Sequence, residues 1–267
     1  MIQCTLERMG LSLFDSVYWA ATAFLEVGVF CLALRRRLFG RLPFFTLYLG
    51  LVVADEALLW LTYRFIGIRS HISYDVYWTS QALLVLSRAV VVYEICRALL
   101  LPFAGIWKLC RPLLVGLGLI LVASALATAR RTVHPISATT IMADRGLEFT
   151  VASVLLFGLI FCRYYRVEIP RHLAWIALGL GFYSAIQVAN NTFLGDWLTQ
   201  QHFMVWGALR RASFNIATLF WLVALWKPLP AAAPAPVLLA RGEYEILAPQ
   251  VSGRLRELNA RLLEIWK

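Results

Sequence analysis

Residues 43–63 read PFFTLYLGLVVADEALLWLTY. The run is apolar at nearly every position. At about 1.5 Å per residue it is long enough as a helix to cross the roughly 30 Å hydrocarbon core of a bilayer. It opens on Pro43, a residue type favoured in the first turn of a helix. Inside it stand Asp55 and Glu56. A carboxylate at a bilayer centre costs about 2.5–3.5 kcal/mol on insertion scales, so this pair is expected to face protein or water. The stretch therefore points to a membrane-spanning helix bundle with a polar interior.

The whole chain fits that reading. Of its 267 residues, 61% are hydrophobic and 15% charged, with a mean hydropathy of +0.72. Soluble domains carry about a quarter charged residues. Apolar runs recur, and they predict helices at about 16–34, 43–63, 76–101, 112–128, 147–167, 172–193 and 203–226. Pro102, Pro170 and Lys227-Pro228 punctuate them. The expected fold class is all-α: a polytopic, seven-transmembrane-helix bundle over residues 1–227.

The net charge of +10 and pI near 9.7 would point to nucleic acid in a soluble protein. Here the basic residues sit in short loops, so they orient the chain in the membrane and no nucleic-acid partner is expected. One side collects Arg35, Arg36, Arg37, Arg41, Arg97, Lys108, Arg111, Arg163, Arg166, Arg171, Lys227 and the basic residues of the tail, sixteen in all, against six on the other side. The positive-inside rule then puts the N-terminus outside and the C-terminus in the cytoplasm of a bacterial inner membrane. The first fifteen residues lack a basic n-region, so the first helix reads as retained rather than as a cleaved signal peptide. The polar segment 129–146 is expected to be the longest outer loop. Cys4, Cys31, Cys96, Cys110 and Cys162 show no metal or disulfide spacing.

Past the bundle, an Ala/Pro-rich linker is expected over 228–248 and a cytoplasmic amphipathic helix over 249–267. Val251, Leu255, Leu258, Leu262 and Ile265 recur at spacings of four and three among Arg254, Glu257, Arg261 and Glu264. Such a helix can lie on the inner leaflet, self-associate or dock a protein partner.

Charges inside the apolar runs mark the candidate site. Glu26 and Arg88 fall at mid-depth, with Asp55, Glu56, Arg210 and Arg211 nearer the outer side. Gln187 and Asn191 share that band, and Arg211, Asn215 and Thr218 form one stripe. The expected polar centre is Glu26, Asp55, Glu56, Arg88, Gln187, Asn191, Arg211 and Asn215. Arg88 and the Arg210/Arg211 pair are the expected partners of Asp55 and Glu56. A purely structural ion-pair network is the plainer alternative. Glu94 reads as a local partner of Arg97, one turn on. Ala177, Gly181, Ala185 and Ala189 form a small-residue face for close helix approach.

Several chemistries find no support in the residues. All three lysines, Lys108, Lys227 and Lys267, lie outside the spans, so none can hold a retinal. The histidines lie at helix edges or in loops, which disfavours a haem or zinc site. No P-loop, GxSxG or HExxH occurs. No catalytic residue, metal or cofactor is expected, and an enzyme is disfavoured.

The chain also resembles an uncharacterised family of bacterial seven-helix integral membrane proteins. The resemblance lies in Tyr77-Trp78 with Gln81-Ala82-Leu83, in Val91-Val92-Tyr93-Glu94-Ile95-Cys96-Arg97 and in Asp144-Arg145-Gly146-Leu147. It continues in Arg163-Tyr164-Tyr165, in Ala177-Leu178-Gly179-Leu180-Gly181-Phe182-Tyr183 and in the amphipathic tail after a Pro/Ala linker. It covers about residues 43–267. It implies topology and no chemistry, and it raises Tyr93, Glu94 and Arg97 as a family feature. The favoured function is a small-ligand sensor or receptor-like module with a polar intramembrane cavity. The alternatives are an ion or small-solute transporter or channel, and an accessory subunit of a membrane complex. The expected partners are the lipid bilayer and a small molecule or ion.

Overall fold

A computed structural model of the chain describes residues 13–67, 70–100, 104–129, 135–164, 169–193 and 203–227. Among them there are seven α-helices: α1 Leu13–Arg35, α2 Pro43–Phe65, α3 His71–Leu100, α4 Ala104–Ala129, α5 Pro135–Tyr164, α6 Arg171–Phe193 and α7 Phe203–Trp226. A short 3-10 helix, Leu38–Gly40, joins α1 to α2. No strand occurs among the described residues. Four helices, α1, α2, α6 and α7, are long and apolar enough to cross a membrane. α4 holds a shorter apolar stretch, Cys110–Ser124. The chain divides into two compact units, Met1–Leu229 and Pro230–Lys267. The expected linker and tail helix lie outside the described residues.

Six helices pack in a closed cycle, α1–α2–α3–α5–α6–α7 and back to α1. α4 stands outside it against α3 and α5, and α3 touches α6 across the middle. The outward faces are apolar: Phe24, Phe65 and Phe157 are 82%, 79% and 71% exposed. Such a surface suits a lipid surround, where burying apolar side chains against protein offers no advantage over lipid.

The segment expected as the longest outer loop is mostly helix. α5 begins at Pro135 and runs 30 residues to Tyr164, about 45 Å at the helical rise. The reason is a polar face. Thr140, Asp144 and Glu148 are spaced by four and all buried, so the polar run is one inward stripe of a helix. α3 likewise starts earlier than its apolar core, at His71. α4 starts at Ala104 and carries Pro112 inside it.

Aromatic rings tie α2, α6 and α7 together. Trp221 meets Phe45 at 5.4 Å, Tyr48 at 6.1 Å and Phe214 at 5.9 Å between ring centroids. Its indole N–H donates to the Ile176 carbonyl at 3.3 Å. The close approach of α6 and α7 depends on Gly179, where a Cβ would meet Trp221 Nε1 at 2.6 Å and the Ala217 carbonyl at 3.0 Å. The small-residue face expected through Gly181 does not make this contact. A Cβ at Gly181 would meet Leu155 of α5 at an ordinary 3.8 Å, because a shift of two residues turns a helical side chain by about 200°.

Side chains also close helix ends. α2 has Leu42 at its N-cap, which offers no side-chain hydrogen bond. Glu94 of α3 serves instead, accepting the Phe44 N–H at 3.0 Å and the Phe45 N–H at 2.8 Å. These are donors that a capping Ser or Asp normally satisfies. This corrects the local Glu94–Arg97 reading. Arg97 is within electrostatic reach, but the carboxylate's hydrogen bonds go to α2. At the C-terminus of α7, Arg36 donates to the Trp226 carbonyl at 2.8 Å, a favoured place for a cation.

Candidate functional site

The interior of the helix cycle holds two polar centres of different character. The first is built on Arg88 of α3, which is only 3% exposed. Its guanidinium hydrogen-bonds Glu148 of α5 and lies 3.5 Å from Asp144, one turn earlier on the same helix. Asp144 also reaches Arg210 of α7 at 3.9 Å. The Arg88 guanidinium lies 5.2 Å from the ring centroid of Tyr183 on α6, a favourable cation–π distance. Glu148 is fully buried. A charge removed from water to this degree needs an opposite charge beside it, and Arg88 supplies one.

That arrangement departs from the expected pairing. Arg88 joins the carboxylates of α5, not Asp55 or Glu56. The sequence alone places Asp144 in the polar segment 129–146 and does not single out Glu148. Their spacing of four with Thr140 was the available signal.

The second centre is acidic and lies between α1 and α2. Glu26 of α1 is 4% exposed, and its Oε2 has no hydrogen-bond partner among the described residues. It lies within electrostatic reach of Asp55 and Glu56 on α2. Asp55 accepts from Gln81 of α3 at 3.3 Å. Glu56 accepts the indole N–H of Trp19. The ion pairs among the described residues join Arg88 and Arg210 to α5, and none reaches Glu26, Asp55 or Glu56. No group of three His, Cys, Asp or Glu among the described residues is placed to hold a metal ion.

The other expected site residues take separate positions. Gln187 is buried on α6, with Ser184 beside it in the same stripe. Asn191 lies on α6, and its side chain is outside those described. Asn215 of α7 donates to the Tyr18 hydroxyl at 2.7 Å and the Thr22 hydroxyl at 3.0 Å on α1. Arg211 is exposed, with its guanidinium 5.9 Å from the Tyr18 ring centroid. Both therefore belong to the α1–α7 seam rather than to a common centre with Arg88.

Chemically, the first centre is a compensated ion-pair network. The second is a set of acids, Glu26 and Asp55 buried and Glu56 half-buried, that forms no ion pair among the described residues. No protein-family model, curated protein or solved structure matches the chain. The resemblance to bacterial seven-helix membrane proteins rests on sequence motifs alone.

Proposed function

We propose that the chain is a seven-span bacterial inner-membrane protein, N-terminus outside, that works as a small-ligand sensor or receptor-like module. One observation carries the reading: Glu26 is buried and its Oε2 lacks a partner. Buried ionisable groups that stand unpaired inside a bundle are costly, and they mark ligand or ion pathways in membrane proteins more often than scaffolds. The Arg88 centre, by contrast, has the pairing of a structural element. The amphipathic tail is the natural output, by docking a partner helix or the inner leaflet.

A second reading, transport of an ion or small solute, draws on the same acids, since intramembrane carboxylates line such pathways. Reconstitution separates the two. The full chain in proteoliposomes, under an ion or pH gradient, should bind ligand without net flux if it is a sensor. Flux abolished by Glu26→Gln would replace the sensor reading with the transporter. A chain indifferent to ligands, with Glu26→Gln and Asp55→Asn altering only stability, would overturn both.

A further inference from the structure

The turn from α1 into α2 carries Arg35, Arg36, Arg37 and Arg41. Its backbone is fixed. The Arg41 and Leu42 N–H groups both donate to the Leu38 carbonyl at 2.8 Å, and the Leu38 and Leu42 side chains are buried in the core. Arg36 is engaged by the fold, since its guanidinium donates to the Trp226 carbonyl at the end of α7. Arg35, Arg37 and Arg41 are exposed and make no ion pair among the described residues. The Arg36–Trp226 bond brings exposed Lys227 to the same end, and the Glu94 cap on Phe44 brings exposed Arg97. Glu94 is the one acidic side chain at this end among the described residues. It is buried, and its carboxylate is turned to the α2 amides. The rim is therefore a surface of uncompensated positive charge.

Two further features point to an amphiphilic occupant. Phe39 and Phe44 are exposed beside the arginines, Phe39 between Arg37 and Arg41 in the turn and Phe44 in the first turn of α2. A soluble anion gains nothing from exposed phenyl rings, whereas a molecule with a charged head and acyl chains meets both groups. Arg37 also holds a left-handed backbone, φ 54° and ψ 35°. A side chain disfavours that conformation, and glycine is its usual occupant. The fold thus keeps a guanidinium where glycine would be less strained, which points to a use for the charge.

We propose that this rim binds an anionic phospholipid, its phosphate held by Arg37 and Arg41 and its acyl chains lying on Phe39 and Phe44. Arg35, Arg97 and Lys227 add to the attracting field. Guanidinium groups pair with phosphate oxygens through two parallel hydrogen bonds. Their aliphatic stems can lie along the acyl region while the heads stay at the interface. The site stands apart from the polar interior and does not depend on a ligand there.

The test is thermal unfolding of the purified full chain in a nonionic detergent, titrated separately with phosphatidylglycerol, phosphatidylcholine and glycerol phosphate. Phosphatidylglycerol should raise the unfolding temperature saturably, and the other two should not. Arg41→Gln should weaken the apparent affinity about fivefold, the scale of one basic residue at an anionic surface. Arg37→Gly should weaken it similarly while the lipid-free unfolding temperature holds or rises, because glycine accepts the left-handed backbone. Arg64→Gln, in the last turn of α2 at its opposite end, should leave the affinity unchanged. Equal shifts from the two lipids would mean no head-group selection and would overturn the proposal. An equal loss in Arg64→Gln would reduce the effect to diffuse surface charge, with the same consequence. Saturable binding of glycerol phosphate would replace the lipid with a soluble phosphate. An Arg37→Gly variant that is less stable yet binds phosphatidylglycerol like the wild type would make Arg37 structural and overturn the site.

Discussion

The carboxylate of Glu94 on α3 accepts the backbone N–H of Phe45 on α2 at 2.8 Å. With the matching bond to Phe44 at 3.0 Å, it caps one helix from another. Phe45 also packs edge-on against Trp221 of α7. The Arg-rich end of the bundle is therefore pinned across three helices by one acidic side chain and one aromatic ring.

Glu94→Ala should destabilise the protein by about 1–3 kcal/mol, the range for leaving buried donors unsatisfied. Glu94→Gln, which keeps a carbonyl acceptor, should lose less. Arg97→Ala should have a small effect, because Arg97 takes no part in the cap. Thermal unfolding of the purified variants in one detergent gives the ranking. A loss at Arg97 equal to that at Glu94 would restore the local ion-pair reading.

Arg88 and Glu148 behave as a unit in this structure. Removing one partner strands a buried charge, at a cost of about 3–5 kcal/mol. Arg88→Met and Glu148→Met should each be severely destabilised. The double variant should recover much of the loss, since apolar replacement of a whole buried pair is often tolerated. A double-mutant cycle measures the coupling. Strict additivity of the two losses would mean that the pair does not act together.

Gly179 is where α6 and α7 come closest. An added methyl would meet Trp221 Nε1 at 2.6 Å and the Ala217 carbonyl at 3.0 Å. Overpacking of this kind typically costs about 1–3 kcal/mol. Gly179→Ala should therefore lower the unfolding temperature and shift the environment of Trp221. Gly181→Ala, whose added Cβ would stand 3.8 Å from Leu155, should be tolerated. The opposite order would put the helix contact on the face read from the sequence.

The helices bounded by Pro43 and by Lys227-Pro228 were legible, because proline and charge punctuate an apolar run at positions that hydropathy also marks. α5 was not, because hydropathy averages over all faces of a helix. Averaging hides a buried stripe such as Thr140, Asp144 and Glu148. The periodicity of four was present in the residues, and a face-by-face reading would have joined 135–146 to the helix. Glu94 was legible as a buried acid but not as a cap. Its partners stand about fifty positions away, and no local spacing encodes a contact between helices. The same limit sent Arg88 to the wrong carboxylates. Charges at one depth can pair in several ways, and helix rotation decides among them. Glu26, Asp55 and Glu56 take part in no ion pair among the described residues. Asn215 turned instead to hydroxyls on α1.

Glu26 and Glu148 should answer the same substitution to very different extents. Each is a buried acidic side chain. Glu148 has Arg88 beside it, so Glu148→Gln removes an attraction and should destabilise. Glu26 has no basic partner among the described residues and faces two further acids. Glu26→Gln keeps the side chain's shape and breaks no ion pair among the described residues. It should leave the stability within about 1 kcal/mol of the wild type, because an amide in place of an unpaired carboxyl is the same kind of buried polar group. Unfolding midpoints of the two variants and the wild type, measured side by side, give the difference. A loss of stability at Glu26 as large as that at Glu148 would mean that Glu26 is paired within the fold. Its role would then be structural, and the acidic centre would no longer have a place for a ligand's charge.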